Sequence, residues 1–187
     1  MSRYAVMASL ALMTACAAAG SGEDIHGKPD APKPPVDARP LDAFVDLCPT
    51  MQTCQTAMTL GQISGDTGGQ MLTAMGHQAA WFRVRVTEDD NSLDGRKLRA
   101  LVRLTSPSAV DFDVFTYVDE DNDNVECTTK VGTTTTNGTV NEVKPQWGEG
   151  GVPNGSSDTR WLSIEVRPIS GTCTTSQTWQ LLVHGNQ

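Results

Sequence analysis

Basic residues are scarce in this 187-residue chain: 14 Lys and Arg stand against 22 Asp and Glu, a net charge of −8. Phosphate binding needs clustered Lys and Arg that release counterions, so the balance argues against nucleic acid as a partner. Histidine is scarcer still. His26, His77 and His184 are scattered, and no His-rich metal site is visible. No Cys-x-x-Cys pair occurs and no histidine lies close to a cysteine in sequence, which argues against structural zinc. The most apolar stretch, Ala5 to Thr14, is too short to span a bilayer core of roughly 30 Å. Catalytic signatures are missing too, with no Gly-x-Ser-x-Gly, no His-Glu-x-x-His and no Walker loop. Their absence lowers the expectation of an enzyme.

The N-terminus is legible. Met1-Ser2-Arg3-Tyr4 supplies a short positive region, followed by the apolar Ala5 to Thr14 and then Ala15-Cys16. This is the length and flank of a signal peptide. Leu12-Met13-Thr14-Ala15-Cys16 resembles the lipobox of bacterial lipoproteins, with Met13 where leucine is usual. The resemblance implies cleavage after residue 15 and a lipid anchor on Cys16, so that a membrane is the first partner. Ala17 is not the aspartate that resembles an inner-membrane retention signal, which points to the outer membrane, facing the periplasm or the surface. The competing reading is ordinary cleavage near Ala19-Gly20 and free secretion.

The cysteine count agrees. Five is odd, and a leftover cysteine in an exported protein needs an explanation. With Cys16 lipidated, Cys48, Cys54, Cys127 and Cys173 remain for two disulfides in an oxidising compartment. Three connectivities exist, and locality favours Cys48–Cys54, leaving Cys127–Cys173.

Residues 16–46 are rich in Ala, Gly, Pro and Asp. The stretch from Lys28 to Pro40 has almost nothing to bury, and its prolines favour a solvated, semi-stiff spacer. Its repeated Asp-Ala dipeptides look like the spacers behind lipoboxes in bacterial surface lipoproteins. The folded domain is expected over residues 47–187, large enough for a real core. Its patterns have period two. Phe82, Val84 and Val86 oppose Arg83 and Arg85, and Leu98, Ala100, Val102 and Leu104 oppose Arg99 and Arg103. Similar runs cover Asp111 to Val118, Trp161 to Val166 and Thr178 to His184, with weaker ones near Val125–Val131 and Thr139–Val143. Alternation bounded by Gly, Asn and Asp predicts half-buried antiparallel strands, hence an all-β sandwich. A short helix is allowed around Pro49 to Met58.

Several segments, in order, carry a resemblance: Leu60-Gly61-Gln62-Ile63-Ser64-Gly65-Asp66-Thr67-Gly68, Ala80-Trp81-Phe82-Arg83-Val84, Val110-Asp111-Phe112-Asp113-Val114-Phe115-Thr116-Tyr117, Trp161-Leu162-Ser163-Ile164-Glu165-Val166 and Trp179-Gln180-Leu181-Leu182-Val183. Over roughly Leu60 to Gly185 the chain resembles the bacterial pre-peptidase C-terminal domain, a module often attached to secreted proteases. The resemblance implies an antiparallel, jelly-roll-like β-sandwich, but no protease domain accompanies it, so the family's role as an appendage does not carry over whole. The chain departs from the family where a Gly-Thr-aromatic lead is replaced by Asp158-Thr159-Arg160-Trp161.

Three features are candidate sites. Asp119, Asp121 and Asp123 put hard oxygens at alternate positions of a loop, the chemistry of a calcium site. Lys130 and Asn124 stand where an EF-hand needs Glu and Gly, so an EF-hand is excluded, and a solvated acidic hairpin is the rival reading. The resembled family can bind calcium, which raises the odds. Trp147, in a loop with no apolar company, is a candidate for stacking on a sugar or anchoring a protein, its alternative being a lid over the sandwich end. Asp111 and Asp113 share a strand face with Cα atoms about 6–7 Å apart, near what two-carboxylate hydrolysis uses. Adjacent acids are common on solvated sheet faces, so catalysis ranks last. These readings lead to a non-catalytic cell-envelope lipoprotein that binds an envelope glycan or a protein. A purely structural surface lipoprotein is second and a secreted hydrolase a distant third.

Overall fold

The computed structural model describes residues 48–50, 52–90, 96–134, 138–148 and 157–187. The segment expected to be a signal peptide (1–15), Cys16 and the expected linker (16–46) lie outside the described residues.

Among the described residues ten strands follow one another: β1 (Met58–Ser64), β2 (Met71–Gly76), β3 (Ala80–Thr87), β4 (Leu98–Thr105), β5 (Val110–Tyr117), β6 (Lys130–Thr133), β7 (Val140–Val143), β8 (Gln146–Trp147), β9 (Arg160–Gly171) and β10 (Trp179–Gly185). They form two sheets. The first has the order β1-β3-β9-β5-β6; the second has β2-β10-β4-β7, with β8 also paired to β4. The inward set of every strongly alternating strand meets in one core, which includes Phe82, Val84, Val86, Val102, Leu104, Phe112, Val114, Leu162, Ile164, Val166, Leu181 and Val183. The two-sheet, all-β architecture expected from the alternation is the one observed.

Four details depart from the expectation. First, the sheets are not wholly antiparallel, because β1 pairs with β3 in parallel, from Met58↔Phe82 to Ser64↔Thr87. The chain crosses to the opposite sheet for β2 before returning as β3, so it reverses twice and comes back in its original direction. Second, β1 and β2 carry no clear period-two signal. Gly61, at φ 143°, sits beside a bulge in β1, and β2 turns Met71 and Met75 outward, so its exposed positions are as apolar as its inner ones. Third, the helix allowed near Pro49 to Met58 is only a 3-10 turn, Cys54–Thr56, held by a Thr53–Thr56 capping box.

Fourth, the disulfides pair otherwise than locality suggested. Cys48 bonds Cys173 and Cys54 bonds Cys127, with Cα atoms 5.0 and 5.9 Å apart. Sequence proximity is a poor guide here because the two bridges tie the segment from Cys48 to Thr56 to distant points of the sandwich. Cys173 follows β9 and Cys127 precedes β6. The segment crosses the outward side of the first sheet, where Arg83 Nη2 donates to the carbonyls of Cys54 and Gln55, both at 2.7 Å. Sequence separations of 125 and 73 imply about 4.9 and 4.4 kcal/mol of chain-entropy stabilisation taken singly, less than additive because the loops are nested.

Candidate functional site

The inward-facing alternates of β3, β5 and β9 fix what the opposite face of the first sheet presents. Trp81, Arg83 and Arg85 come from β3, Trp161, Ser163, Glu165 and Arg167 from β9, and Asp113, Phe115 and Tyr117 from β5. The registers set them in rows. Asp113 opposes Arg167, Phe115 opposes Glu165 and Glu165 opposes Trp81, while Tyr117 opposes Ser163 and Ser163 opposes Arg83. An outward face of this kind is normally solvated, yet Asp113, Phe115, Tyr117, Ser163 and Glu165 are buried.

Side chains on this face cover one another. Trp81 stacks on Tyr117 with ring centroids 5.3 Å apart. Two cations approach the Phe115 ring, Arg167 at 4.3 Å and Lys130 at 4.8 Å from its centroid. Glu165 joins the two halves: its Oε2 accepts from the Tyr117 hydroxyl at 2.6 Å, and Arg167 donates to Oε1 and Oε2 at 2.8 and 2.7 Å. Burial, then the hydrogen bond to Glu165 and its charge, push the Tyr117 hydroxyl well above the usual phenol range. Burial also raises the Asp113 carboxyl, with Asp111 adding to the rise and Arg167 opposing it. Asp113 Oδ1 is buried without a hydrogen-bond partner.

A cleft of about 290 Å³ opens beside this cluster. Trp81, Glu165 and Arg167 form one wall, and Cys48 and Thr50 of the disulfide-held segment form another. The Trp81 indole next to a carboxylate and a planar guanidinium offers an aromatic surface with donors and acceptors at its rim. That combination suits a ring bearing several hydroxyls: the ring's C–H face meets the aromatic, and the hydroxyls meet the charged pair. Asp113 directly opposes Arg167 of this wall, and Asp111 opposes Ser170 on β9.

The structure uses the acidic loop differently from a cage of converging oxygens. The Asp119 carboxylate accepts from the backbone N–H of Asp121 and Asn122 and from Asn124 Nδ2, and these bonds, led by that of Asn122, hold its pKa below the usual range. Asp123 is paired with Arg85, whose hydrogen bond lowers the Asp123 pKa, and that guanidinium also sits 5.1 Å from the Trp161 ring. Asp121 is exposed. Among the described residues, no three His, Cys, Asp or Glu side chains gather as a metal site. The expected convergence of Asp119, Asp121 and Asp123 is therefore not what the loop adopts. Its carboxylates cap turns and bind an arginine.

Of the two readings of Trp147, the structure is nearer the packed one than the loop-borne stacking residue. Trp147 belongs to β8, opposite Leu98 of β4, and only 2% of its surface is exposed. Its Nε1 donates to the Asp158 carbonyl at 2.9 Å. The following Gly148, at φ 80°, lets the chain pass close against the Asp158 side chain, where a Cβ would come within 2.7 Å. The indole is a core member, and neither of its faces is free for a sugar or a partner. Alternation with Phe82 and Leu162 already put Trp81 and Trp161 on the face shared by Arg83 and Arg85. That signal could have directed the search for a binding aromatic to the sheet rather than to the loop.

Comparison with known proteins adds one likeness. No family model matches the chain, and no curated protein matches it. Among solved structures, the pre-peptidase C-terminal domain of collagenase from Bacillus anthracis is similar over 68% of this chain and 95% of its own length. The identity is 8% and the TM-score is 0.36.

Proposed function

We propose that this protein is a non-catalytic binding module of the cell envelope, held at the outer membrane by lipid on Cys16, whose sandwich binds an envelope glycan. The observation that carries the reading is the wall of the 290 Å³ cleft, where Trp81 stands beside the Glu165–Arg167 pair. Both charged groups are oriented before any ligand arrives, because Tyr117 and Arg167 fix the carboxylate and Phe115 supports the guanidinium. Preorganised donors and acceptors keep down the entropy lost on binding. The glycan is favoured over a protein because the recess is small, with an aromatic and a planar ion pair in one wall, whereas protein interfaces need far wider surfaces.

The test is retention of native envelope polysaccharide by the purified protein, measured against Trp81→Ala and Arg167→Lys. Loss of an aromatic anchor is expected to weaken retention about thirtyfold or more. Arg167→Lys keeps the charge but removes the planar fork, and is also expected to weaken it. Wild-type protein that retains no glycan overturns the reading and leaves a structural coat protein. Retention unchanged in both variants overturns the assignment of the cleft.

A further inference from the structure

Leaving aside the two-residue β8, the two sheets end, among the described residues, in four edge strands, and three of them are guarded against pairing with another chain. In β1 a bulge at Leu60 interrupts the register between Thr59↔Arg83 and Gly61↔Val84. In β6 the register passes from Gly132↔Thr116 to Lys130↔Tyr117, skipping Val131, and the strand starts on a lysine. The third, β7, is four residues long, carries Glu142 paired with Arg103, and is followed by Lys144. Bulges, charges and short length are the usual devices that stop a sheet edge from adding a foreign strand.

β2 has none of them. Its six residues run in unbroken register with β10, from Met71↔His184 to Gly76↔Trp179, and include no charge and no proline. Its other side has no strand partner among the described residues. Met71 and Met75, at 63% and 68% exposure, are the two most exposed large apolar side chains described. In space Arg103 of β4 borders the pocket that Thr73 and Met75 line, but the sequence flanking β2 is equally neutral. Between Cys48 and Arg83 the single acidic or basic residue, with His77 neutral, is Asp66, which is buried and bonded to the N–H groups of Asp89 and Asp90.

We propose that β2 pairs antiparallel with β2 of a second copy of this chain, centred on Thr73, so that two β2-β10-β4-β7 sheets become one continuous sheet. The strand is self-complementary in that register. Met71 opposes Met75 of the second copy, Leu72 opposes Ala74, and Thr73 opposes Thr73, as a twofold interface requires. Directly opposed residues of an antiparallel pair share a face. This register therefore keeps Leu72 and Ala74, which pack against the core, on the inner side of both copies, while the methionines cover one another outside. A slip of one residue would oppose core-facing Leu72 to exposed Met75 and mix the faces. Charge favours the same contact: two chains of net charge −8 repel, and this uncharged edge lets them touch without setting acid against acid.

The experiment is sedimentation velocity on the full-length chain carrying Cys16→Ser, so that lipid cannot drive association. Thr73→Lys and Thr73→Glu are made in that background. The parent protein is expected to dimerise, and each variant alone to lose roughly tenfold or more in dimer affinity, because the introduced charge then faces its own copy. A one-to-one mixture of the two variants is expected to recover the dimer, since the introduced ammonium of one copy would meet the introduced carboxylate of the other across the twofold axis. Unchanged thermal melting of each variant confirms that folding is intact, as Thr73 is exposed. A monomeric parent overturns the proposal, including the case in which β2 instead captures an extended apolar peptide. A dimer that ignores both variants, or a mixture that stays monomeric, overturns this edge and this register.

Discussion

Replacing Trp147 by alanine tests whether the indole is part of the core. The residue is 2% exposed, belongs to the main apolar cluster and satisfies the Asp158 carbonyl through Nε1. Truncating a buried Trp to Ala typically costs about 3–5 kcal/mol, through lost transfer energy plus the cavity that remains. In a domain of about this size, 1 kcal/mol corresponds to roughly 3–5 °C, so the melting temperature is expected to fall by about 10 to 25 °C. Trp147→Phe separates the contributions. It keeps most of the apolar volume but removes the Nε1–H bond to the Asp158 carbonyl, a net cost of about 1 kcal/mol. The assay is urea unfolding with both disulfides intact, followed by thermal melting, and the slope against urea checks that the unfolded state is unchanged. The same variants, assayed for glycan retention well below their melting temperatures, are expected to bind as the wild type does. A loss below about 1 kcal/mol for Trp147→Ala would refute the reasoning, since no buried indole of this size leaves so little behind.

Two further outcomes follow from the same geometry. Peptide mapping of the unreduced protein is expected to recover Cys48 joined to Cys173 and Cys54 joined to Cys127, and a Cys48–Cys54 peptide would contradict the placement of the N-terminal segment across the first sheet. Hydrogen bonds from Thr128 Oγ1 and from the N–H groups of Thr129, Thr128 and Cys127 lower the Glu126 pKa from 4.5 to about 2. A depressed carboxyl contributes stability that is fully present above pH 4.5 and is lost as the pH falls from there towards 2. Glu126→Gln is expected to flatten the stability profile in that window and to lower stability at neutral pH. An acid limb unchanged by the substitution would contradict the assignment.

Much of the fold was written in local pattern. Phe82/Val84/Val86 and Leu162/Ile164/Val166 alternate with polar or aromatic neighbours, and a half-buried strand permits few other readings of that period. β1 and β2 escaped because local composition hides them. A bulge and a positive-φ glycine break the first, and exposed methionines give the second no polar side to contrast with its inner one. The candidate site was legible only in its parts. Glu165, Arg167, Tyr117 and Trp81 are spread over three strands that are not consecutive in the chain, and nothing in their spacing says that β9 lies between β3 and β5. Trp147 misled for a related reason, since its polar neighbours in sequence are not its neighbours in space.

Residue order alone carried the strand faces, the even set of four cysteines available for pairing, the acidic balance and the expectation of an exported, anchored chain. Each depends on a short window of residues or on a count, and neither changes when the chain folds. Folding in three dimensions settled the rest: which cysteines meet, that β1 runs parallel to β3, that Trp147 is core, and that Trp81 shares a cleft with an oriented ion pair. Those facts depend on which strands become neighbours. That choice is made by the burial of the whole apolar set at once, not by any single segment.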